Sequence, residues 1–302
     1  MASIVSSQNM QANLQRAFAD HGFKHSLTFS NSTTIPLSPS EEIFCVQGKR
    51  PTLEDTAFFS KSQEYCLWCV CDGHGDGGKI GKLAAETIPR DLPSLVAENG
   101  DKIPEAFTQM LEKLQSAIRQ RCLAGGSTVV INYLDLKTQK LYVATLGDSW
   151  TKVGVSDNGK WRLAPLSPIY NWATPEEEQR AFLFAGNELE RTRELWSYLS
   201  GKHRYFPIQN GYNVSRALGH LSTYDKNNRS PFSVQPLVTE FSLKPGDVVL
   251  SASDGFWGSV HTDVIEMILE SHAKTPMKLA ESLGKFSLMK SSDNVSIIAL
   301  KV

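Results

Sequence analysis

The sequence lacks a long apolar segment, an excess of charge of either sign and a signal for export. No apolar run reaches the length that a membrane-spanning helix needs. The start, Met1-Ala2-Ser3, has neither the features of a signal peptide nor a glycine for myristoylation. Lys and Arg number 31 and Asp and Glu 32, so the charge balance does not favour a nucleic acid or an anionic membrane surface. We therefore expect a soluble protein with no nucleic-acid partner and no membrane partner.

The sequence also lacks a pattern of cysteines that would suit disulfides or zinc. The five cysteines are an odd number, and Cys66, Cys69 and Cys71 fall in one short apolar run. Strand alternation would place Cys69 and Cys71 on one face and Cys66 on the other. Cys66-x-x-Cys69 resembles half of a zinc site, but no second Cys or His pair in the sequence completes it. Reduced thiols in an intracellular protein, most simply a cytoplasmic one, fit this pattern.

The chain divides into a polar extension and one larger domain. Residues 1–40 are mostly polar and are interpreted as an N-terminal extension, with a long loop from Ser26 to Ser40. Residues 41–302 contain the apolar patterns of strands and helices and are interpreted as one domain. Aromatic and basic side chains without a regular period predict a surface flap at about residues 187–210.

The pattern of strands indicates an α+β fold. The strands are joined more by hairpins than by strand-helix-strand units, which predicts two packed antiparallel sheets with helices outside. One hairpin is expected to turn at Lys137 to Lys140 and another at Lys244 to Asp247. Apolar stripes predict amphipathic helices over Lys79 to Leu92 and after Asp101, which is expected to cap the second helix.

Four aspartates share one place in this pattern, because each lies where an apolar strand starts or stops. They are Asp72, Asp148, Asp254 and Asp293, and the first three have a glycine beside them. Carboxylates without paired Cys or His select hard cations such as Mg²⁺ or Mn²⁺. Two such ions that share a carboxylate can activate water for attack on phosphorus.

Two further residues suit phosphate chemistry. Arg50 is a candidate for binding phosphate, since a guanidinium matches the phosphate oxygens in a bidentate manner. His74 follows Asp72-Gly73 and is a candidate proton donor to the leaving oxygen. Taken alone, Asp72-Gly73 also suits a capped tight turn, because Asp and Gly are both favoured turn residues.

Several short segments occur in a fixed order along the chain. They are Arg50-Pro51-Thr52-Leu53-Glu54-Asp55, Asp72-Gly73-His74-Gly75, Gly126-Ser127-Thr128, Leu146-Gly147-Asp148-Ser149, Val214-Ser215-Arg216-Ala217-Leu218-Gly219, Ser251-Ala252-Ser253-Asp254-Gly255 and Asp293-Asn294-Val295. Together, from about Glu42 to Val302, they resemble the ordered motifs of the PP2C-type metal-dependent protein serine/threonine phosphatases. The resemblance implies a four-layer αββα sandwich with two Mn²⁺ or Mg²⁺ ions at one end.

The resemblance also implies which residues hold the metal ions. Asp72 would bridge the two ions and the carbonyl of Gly73 would help to hold one of them, while Asp254 and Asp293 would hold the other.

The remaining roles that the resemblance implies concern the reaction. Glu54 and Asp55 would organise metal-bound water, Arg50 would bind phosphate, and His74 would act as general acid. The implied function is hydrolysis of phosphoserine and phosphothreonine in a phosphoprotein substrate by metal-activated water, with no covalent intermediate. We expect the enzyme to be a monomer.

The sequence departs from the family pattern at five places. They are Leu166 to Tyr170 in place of Asp-His, Gly258 and His220 each in place of Asp, Trp150 in place of Arg, and Asp76 in place of Gly. The family acid at Gly258 would hold a third ion together with Asp148, so Asp148 is interpreted here as a structural turn acid. The second hypothesis is therefore a catalytically impaired pseudophosphatase that acts as a binding or regulatory module.

Other residues near these motifs have simpler interpretations. His203, His220 and His261 have no partner at a suggestive spacing and are expected to be surface or loop residues. Ser215-Arg216 is expected to anchor the flap or a sheet edge through hydrogen bonds.

Overall fold

The computed structural model describes residues 33–38, 40–166, 174–177, 179–180, 214–224, 227, 230–272 and 279–302. The predicted flap, His203 and most of the segment from Leu166 to Tyr170 lie outside these ranges. Across the helices that are described, none is both long enough and apolar enough to cross a membrane.

Thirteen strands and five α-helices form the described fold. In chain order the strands are β1 (Thr33–Ser38), β2 (Glu41–Val46), β3 (Asp55–Lys61), β4 (Tyr65–His74), β5 (Gly126–Ser127), β6 (Val129–Asp135), β7 (Lys140–Leu146), β8 (Trp150–Asp157), β9 (Lys160–Pro165), β10 (Leu218–Gly219), β11 (Leu237–Ser242), β12 (Val248–Ala252) and β13 (Val295–Lys301). The helices are α1 (Lys79–Asn99), α2 (Ile103–Gln120), α3 (Asp254–Trp257), α4 (Thr262–His272) and α5 (Leu279–Leu288).

The strands form two antiparallel sheets. The first sheet has the order β1-β2-β13-β12-β8-β9. The second has the order β10-β5-β4-β6-β7-β11, and β3 pairs with the other edge of β4. Every strand pair within the two sheets is antiparallel.

Three apolar clusters separate four layers. In β4, the neighbours Leu67 and Trp68 point to opposite faces: Leu67 packs in the cluster under α1 and α2, and Trp68 packs in the cluster between the two sheets. A third cluster, which includes Leu283, packs α3, α4 and α5 on the first sheet. The layers therefore follow the order helix, sheet, sheet, helix, which confirms the predicted αββα sandwich.

The cysteines follow the predicted alternation. Cys69 and Cys71 belong to the cluster under the helices, whereas Cys66 belongs to the cluster between the sheets. All five cysteines are free thiols, and of these only Cys122 is exposed.

The predicted hairpin at Lys137 to Lys140 and the predicted helix from Lys79 are both confirmed. The hairpin joins β6 to β7, and the carboxylate of Asp135 accepts hydrogen bonds from the backbone of the turn. Helix α1 extends beyond the predicted Leu92 to Asn99. The side chain of Asp76 accepts hydrogen bonds from the backbone N–H groups of the first turn of α1 and thereby caps the helix.

Three local predictions are wrong. The turn at Lys244 to Asp247 does not close a hairpin, because β11 pairs with β7 in the second sheet while β12 pairs with β8 and β13 in the first. Residues that favour a turn predict that the chain changes direction, but they do not predict in which sheet the next strand pairs. Asp101 does not cap α2, since the N-cap is Lys102 and no side-chain bond caps the helix.

The third error concerns the predicted loop from Ser26 to Ser40. Within it, Thr33–Ser38 form β1 and pair with β2 at the edge of the first sheet. Pro36 lies in this strand, and an edge is where a sheet tolerates a residue without a backbone N–H. The Ser, Thr and Pro content that indicated a loop is thus compatible with an edge strand.

Candidate active site

A cavity of about 220 Å³ brings most of the predicted site residues together. It is lined by Arg50, Glu54, Asp72, Gly73, His74, Thr128, Asp148, Val214, Asp254, Asp293 and Asn294. Of the residues that the sequence singles out for metal binding or catalysis, Asp55 alone is missing from this described lining. The motifs are spread over more than 240 residues of sequence, and the fold places them around one opening.

The acids reach the cavity because strands from both sheets end there. Asp72 lies near the end of β4, in the second sheet. Asp254 directly follows Ser253 after β12 and begins α3, and Asp293 lies just before β13, both in the first sheet. Asp148 lies in the turn between β7 and β8, where it was interpreted as a turn acid, and its side chain also lines the cavity.

The backbone around Asp72 is held by strand pairing and by Thr128. Thr128 N–H donates to the carbonyl of Asp72 at 2.9 Å, and Asp72 N–H donates to Thr128 Oγ1 at 3.3 Å. Gly73 has no space for a side chain, since a Cβ there would lie 2.8 Å from the carbonyl oxygen of Glu54 and 2.8 Å from Gly78 Cα. The close approach of these segments therefore requires glycine at position 73.

The carboxyl groups of Asp72 and Asp254 lie close enough to shift each other's pKa. Burial raises the pKa of Asp72 well above its usual range, and the neighbouring charges of Asp55 and Asp254 add to this effect. Burial likewise raises the pKa of Asp148 to about 7, with a further contribution from Asp254. Closely spaced acids cannot all ionise in a partly dry site, so the cavity favours a bound positive charge.

Arg50 supplies one positive charge to this group of acids. Its Nη2 lies 2.6 Å from Asp293 Oδ2. This bond and the charge of Asp293 raise the pKa of Arg50, and Asp72 and Asp254 contribute through their charges. The residue expected to bind phosphate thus lies directly beside the residues expected to hold cations.

The donor chemistry of the cavity fits Mg²⁺ or Mn²⁺. Carboxylates and a backbone carbonyl are hard oxygen donors, and the raised pKa values of Asp72 and Asp254 indicate negative charge that a bound cation would neutralise. Within the described ranges, no three His, Cys, Asp or Glu side chains converge closely enough to form a ready-made ion site. The acids therefore line one cavity without enclosing a common point.

Asn294 fastens the loop that carries Arg50 and Glu54. Asn294 Oδ1 accepts a hydrogen bond from Glu54 N–H at 2.9 Å, and its Nδ2 donates to the carbonyls of Gln47 and Thr52 at 2.6 and 3.0 Å. Asn294 belongs to one of the motifs in the sequence, but no role was predicted for it. The residue type itself indicates such a role, because an amide side chain can both donate and accept hydrogen bonds, whereas the carboxylate of the neighbouring Asp293 can only accept them.

Asp55 lies beside the cavity in a buried position. It is only 1% exposed and pairs across the sheet with Asp72. Its Oδ2 accepts a hydrogen bond from Ser253 Oγ at 2.7 Å. Burial raises the pKa of Asp55 to about 7, although the bond from Ser253 opposes this shift.

His74 and His220 form a contact that no pattern in the sequence predicts. Their Nε2 atoms are 2.8 Å apart, and His220 is only 3% exposed. His220 lies on a loop, which was one of the two expected alternatives, but it is not a surface residue, because its ring is buried and stacks on Phe232 with centroids 3.8 Å apart. Burial lowers the pKa of His74 to about 4 and that of His220 to about 3, so both rings are neutral near pH 7. His261, by contrast, is exposed as expected.

A buried acid anchors the segment next to the cavity residue Val214. Glu177 is fully buried and accepts hydrogen bonds from Arg180 at 2.5 Å and from Arg216 at 2.7 and 2.9 Å. Arg180 also donates to the carbonyl of Ser215, next to the cavity residue Val214. The segment around Ser215-Arg216 is thus anchored by hydrogen bonds, as expected, and Glu177 is its buried partner.

The fold and the cavity together define an αββα protein with an acidic, arginine-lined site at the ends of its two sheets. The family of protein phosphatase 2C matches residues 42–295. This match covers well over half of the sequence, and the chain belongs to the protein phosphatase 2C family.

Relatives with curated descriptions come from Arabidopsis thaliana. Protein phosphatase 2C 70 is 24% identical over 279 residues, which cover 84% of this chain and 44% of the relative. Probable protein phosphatase 2C 67 is 26% identical over 231 residues, which cover 62% of this chain and 55% of the relative. The chain therefore spans about half the length of the curated relatives that it matches.

Solved structures share the fold at low sequence identity. A serine-threonine phosphatase 2C from Toxoplasma gondii has a TM-score of 0.70 at 18% identity, and the match covers 92% of this chain and 99% of that chain. A C. elegans sex determining protein has a TM-score of 0.66 at 20% identity, with coverage of 90% and 65%. At this level of identity the similarity supports the fold alone.

Proposed function

We propose that this chain hydrolyses phosphoserine and phosphothreonine in proteins in a metal-dependent reaction. The observation that carries the proposal is the single cavity that holds Arg50 beside Asp72, Asp254 and Asp293. A phosphate dianion needs positive charge, and these acids offer a place for cations next to the guanidinium. The family to which the chain belongs consists of protein phosphatases that are in general metal-dependent.

Two Mn²⁺ or Mg²⁺ ions would be held by Asp72, the carbonyl of Gly73, Asp254 and Asp293. Such ions supply Lewis acidity, which lowers the pKa of water and neutralises charge on the transferred phosphoryl group. Because burial raises the pKa values of Asp72 and Asp254, protons would compete with the cations for these carboxylates, so binding should be weaker at low pH.

The side chains of the protein would position the substrate and the attacking water. Arg50 would bind the phosphate oxygens with its guanidinium fork. Glu54 and Asp55 would orient water, with Asp55 held by Ser253 and the backbone of Glu54 held by Asn294. His74 lines the cavity and would act as general acid toward the leaving serine or threonine oxygen, with a proton that the ring must first take up because it is neutral near pH 7.

A second candidate function is a catalytically impaired module that binds phosphoproteins. It is favoured by Gly258, which ends α3 where the family has an acid that would act with Asp148. Asp148 lines the cavity, and the exposed backbone of Gly258 offers it no carboxylate partner. Under this hypothesis the chain keeps cations and phosphate in place without efficient turnover.

The test is phosphate release from a phosphothreonine peptide in the presence of Mn²⁺ and in the presence of EDTA. We expect release with Mn²⁺ and none with EDTA. Binding of the peptide without release under both conditions would favour the impaired module instead. The phosphoprotein substrate, the monomeric state and the intracellular, cytoplasmic location remain predictions, and the free cysteines support the last of these.

A further inference from the structure

Four buried polar side chains connect the two sheets through hydrogen bonds. Trp68 and Asn132 are paired on the neighbouring strands β4 and β6 of the second sheet. Ser251 and Thr151 are paired on β12 and β8 of the first sheet. All four residues are fully buried, and their strand neighbours two positions away belong to the apolar cluster between the sheets. We call these four residues the inter-sheet bridge.

The hydrogen bonds of the inter-sheet bridge run in one direction. The indole Nε1–H of Trp68 can only donate, and it lies 2.8 Å from Ser251 Oγ. At the other end, Asn132 Oδ1 can only accept, and Thr151 Oγ1 donates to it at 2.7 Å. The Ser251 hydroxyl is therefore left to donate to Thr151 Oγ1, at 2.7 Å. The three bonds lead from the second sheet into the first and back to the second.

Such a bridge restricts the spacing of two sheets more than apolar packing does. The attraction between apolar side chains is non-directional, so one sheet can shift slightly on the other and still bury the same surface. A hydrogen bond, in contrast, is kept only within a narrow range of distance and angle. In a buried position no water replaces a lost partner, so a shift that breaks the bonds leaves polar groups unpaired at a cost.

The inter-sheet bridge lies below the acids of the cavity. Trp68 precedes Asp72 by four residues in β4, and Ser251 precedes Asp254 by three residues. At the rise of a strand, these intervals correspond to about 10 to 13 Å. Asp72 is carried by the second sheet and Asp254 follows a strand of the first. The distance between their carboxyl groups therefore depends on the relative position of the two sheets.

Two further contacts join the sheets at the level of the cavity. Ser253, directly after β12, donates from Oγ to Asp55 Oδ2 in β3 at 2.7 Å. Ser149, directly before β8, has its Oγ 2.7 Å from Thr128 Oγ1, which accepts the N–H of Asp72. Side-chain hydrogen bonds between the sheets thus occur both at the cavity and below it.

We propose that Thr151 and Ser251 are positioning residues, because the inter-sheet bridge holds the sheets at the spacing at which Asp72 and Asp254 can bind the same pair of cations. This inference rests on the proposed function for the presence of the cations. Bonds from oxygen to Mg²⁺ tolerate little change in length, so a small shift between the sheets weakens binding. The described lining of the cavity includes no residue of the bridge, which therefore acts only through the strands.

Two matched pairs of substitutions test the hydroxyl groups. Thr151→Val keeps the shape of threonine without the hydroxyl, whereas Thr151→Ser keeps the hydroxyl. Ser251→Ala removes the middle of the bridge. Its control is Ser60→Ala, which removes an equally buried hydroxyl that has no hydrogen-bond partner within the described ranges. Thermal unfolding in EDTA identifies the variants that fold, and either T151V or S251A is sufficient for the comparison.

The first measurement is calorimetric titration with Mn²⁺ in the absence of substrate. We expect T151V and S251A to bind Mn²⁺ about tenfold more weakly than wild type, as is typical when a residue that supports a metal ligand is lost. T151S and S60A should bind within about twofold of wild type. Wild-type affinity in T151V and S251A would overturn the proposal, and so would an equal loss in T151S or S60A.

The second measurement is amide hydrogen exchange in EDTA, which needs neither metal nor turnover. The N–H groups of Thr128 and Ser253 form backbone bonds beside the cavity, whereas those of Leu136 and Val302 do so at the opposite ends of the sheets. We expect T151V and S251A to speed exchange at Thr128 and Ser253 at least about tenfold and at the distant pair less than about twofold.

Unchanged exchange beside the cavity would overturn the proposal. Equal acceleration at all four N–H groups would also overturn it, because it indicates a general loss of stability. If wild type binds no Mn²⁺, the proposed function fails, and amide exchange alone then decides whether the inter-sheet bridge holds the strand ends in place.

Discussion

Arg50 donates from Nη2 to Asp293 Oδ2 at 2.6 Å, so the guanidinium is bound by one of the acids proposed to hold a metal ion. The two side chains come from segments 243 residues apart in sequence. Both line the cavity, and Asn294, next to Asp293, fixes the loop that carries Arg50. The position of the residue proposed to bind phosphate and the charge of the proposed metal site are therefore linked through one contact.

Replacement of Arg50 should separate phosphate binding from metal binding. We expect Arg50→Ala to raise KM for a phosphothreonine peptide about tenfold, because a charge-assisted bond to phosphate is lost. The same variant should bind Mn²⁺ up to about threefold more tightly, a modest gain because 55% of the Arg50 side chain is exposed. Arg50→Lys keeps the charge and is the matched control, with an intermediate KM and unchanged affinity for Mn²⁺. Calorimetric titration that finds weaker Mn²⁺ binding in R50A would refute this link.

The contact between Asp72 and Asp254 should make the metal-free protein less stable than it would be with one acid neutralised. Asp254→Asn removes one member of the pair, and we expect it to raise Tm in EDTA at pH 8 by a few degrees, or about 1 kcal/mol. Wild-type protein should gain stability when Mn²⁺ is added, by about 2.7 kcal/mol at a hundred times Kd, and D254N should gain much less.

The control for this comparison is Asp76→Asn, which changes an acid that caps α1 instead of one that lines the cavity. D76N should show the full Mn²⁺-induced shift in Tm. A lower Tm for D254N than for wild type in EDTA would contradict the unfavourable interaction between the two acids.

Glu42 predicts a pH dependence of stability away from the active site. It is fully buried in β2, and its Oε2 accepts a hydrogen bond from the N–H of Ala280 at the start of α5. Burial raises the pKa of Glu42 to about 7, despite the backbone bonds that oppose this. The folded protein therefore binds this proton more tightly than the unfolded chain does. The stabilisation is fully present below the unfolded pKa and is lost as pH rises through about 7.

The measurement is the free energy of unfolding in urea between pH 5 and pH 8, in EDTA, where the decline due to Glu42 amounts to as much as about 3 kcal/mol. Glu42→Gln cannot ionise, and its curve should be flatter than that of wild type across this window. Parallel curves for the two proteins would mean that Glu42 is already ionised in the folded state.

Restoring an acid at Gly258 should test the impaired-module hypothesis. The backbone there has φ −77° and ψ −15°, which any residue adopts, and a Cβ would meet only the carbonyl oxygen of Asp254, at 3.0 Å. If the missing acid limits turnover, Gly258→Asp should raise kcat at high Mn²⁺ by about tenfold, the effect of recovering one well-placed charge interaction. The gain should disappear in the double variant with Asp148→Asn. An unchanged kcat in G258D would show that this position does not limit the reaction.

The layers of the fold could be predicted from sequence because each depends on a local pattern. Strand alternation shows that Leu67 and Trp68 lie on opposite faces, and the apolar stripes of α1 and α2 mark the buried faces of these helices. Neither pattern depends on which element packs against that face. The turn at Lys244 to Asp247 could not be assigned, since the same four residues can end a hairpin or carry the chain between two sheets. Pairing of this kind depends on distant strands.

The residues of the candidate site likewise fall into those that a local pattern indicates and those that it does not. Asp72, Asp254 and Asp293 are marked by their places at strand ends, and the fold brings all three to one cavity. The partners of these motifs are harder to find. His220 meets His74 across 146 residues of sequence, and Glu177 meets Arg216 across 39. Neither pair has a local pattern, because each contact is created by packing.

The most direct test of a metal-dependent phosphatase site is the rate of phosphate release from a phosphothreonine peptide in Mn²⁺ by wild type, Asp72→Asn and Asp76→Asn. Asp72 lines the cavity, whereas Asp76 caps a helix nearby. Both substitutions replace an aspartate by asparagine, but only one of them changes the cavity. We expect wild type and D76N to turn over, and D72N to be slower by at least about a hundredfold. No turnover by wild type, or a D72N rate equal to that of D76N, would contradict the proposed site.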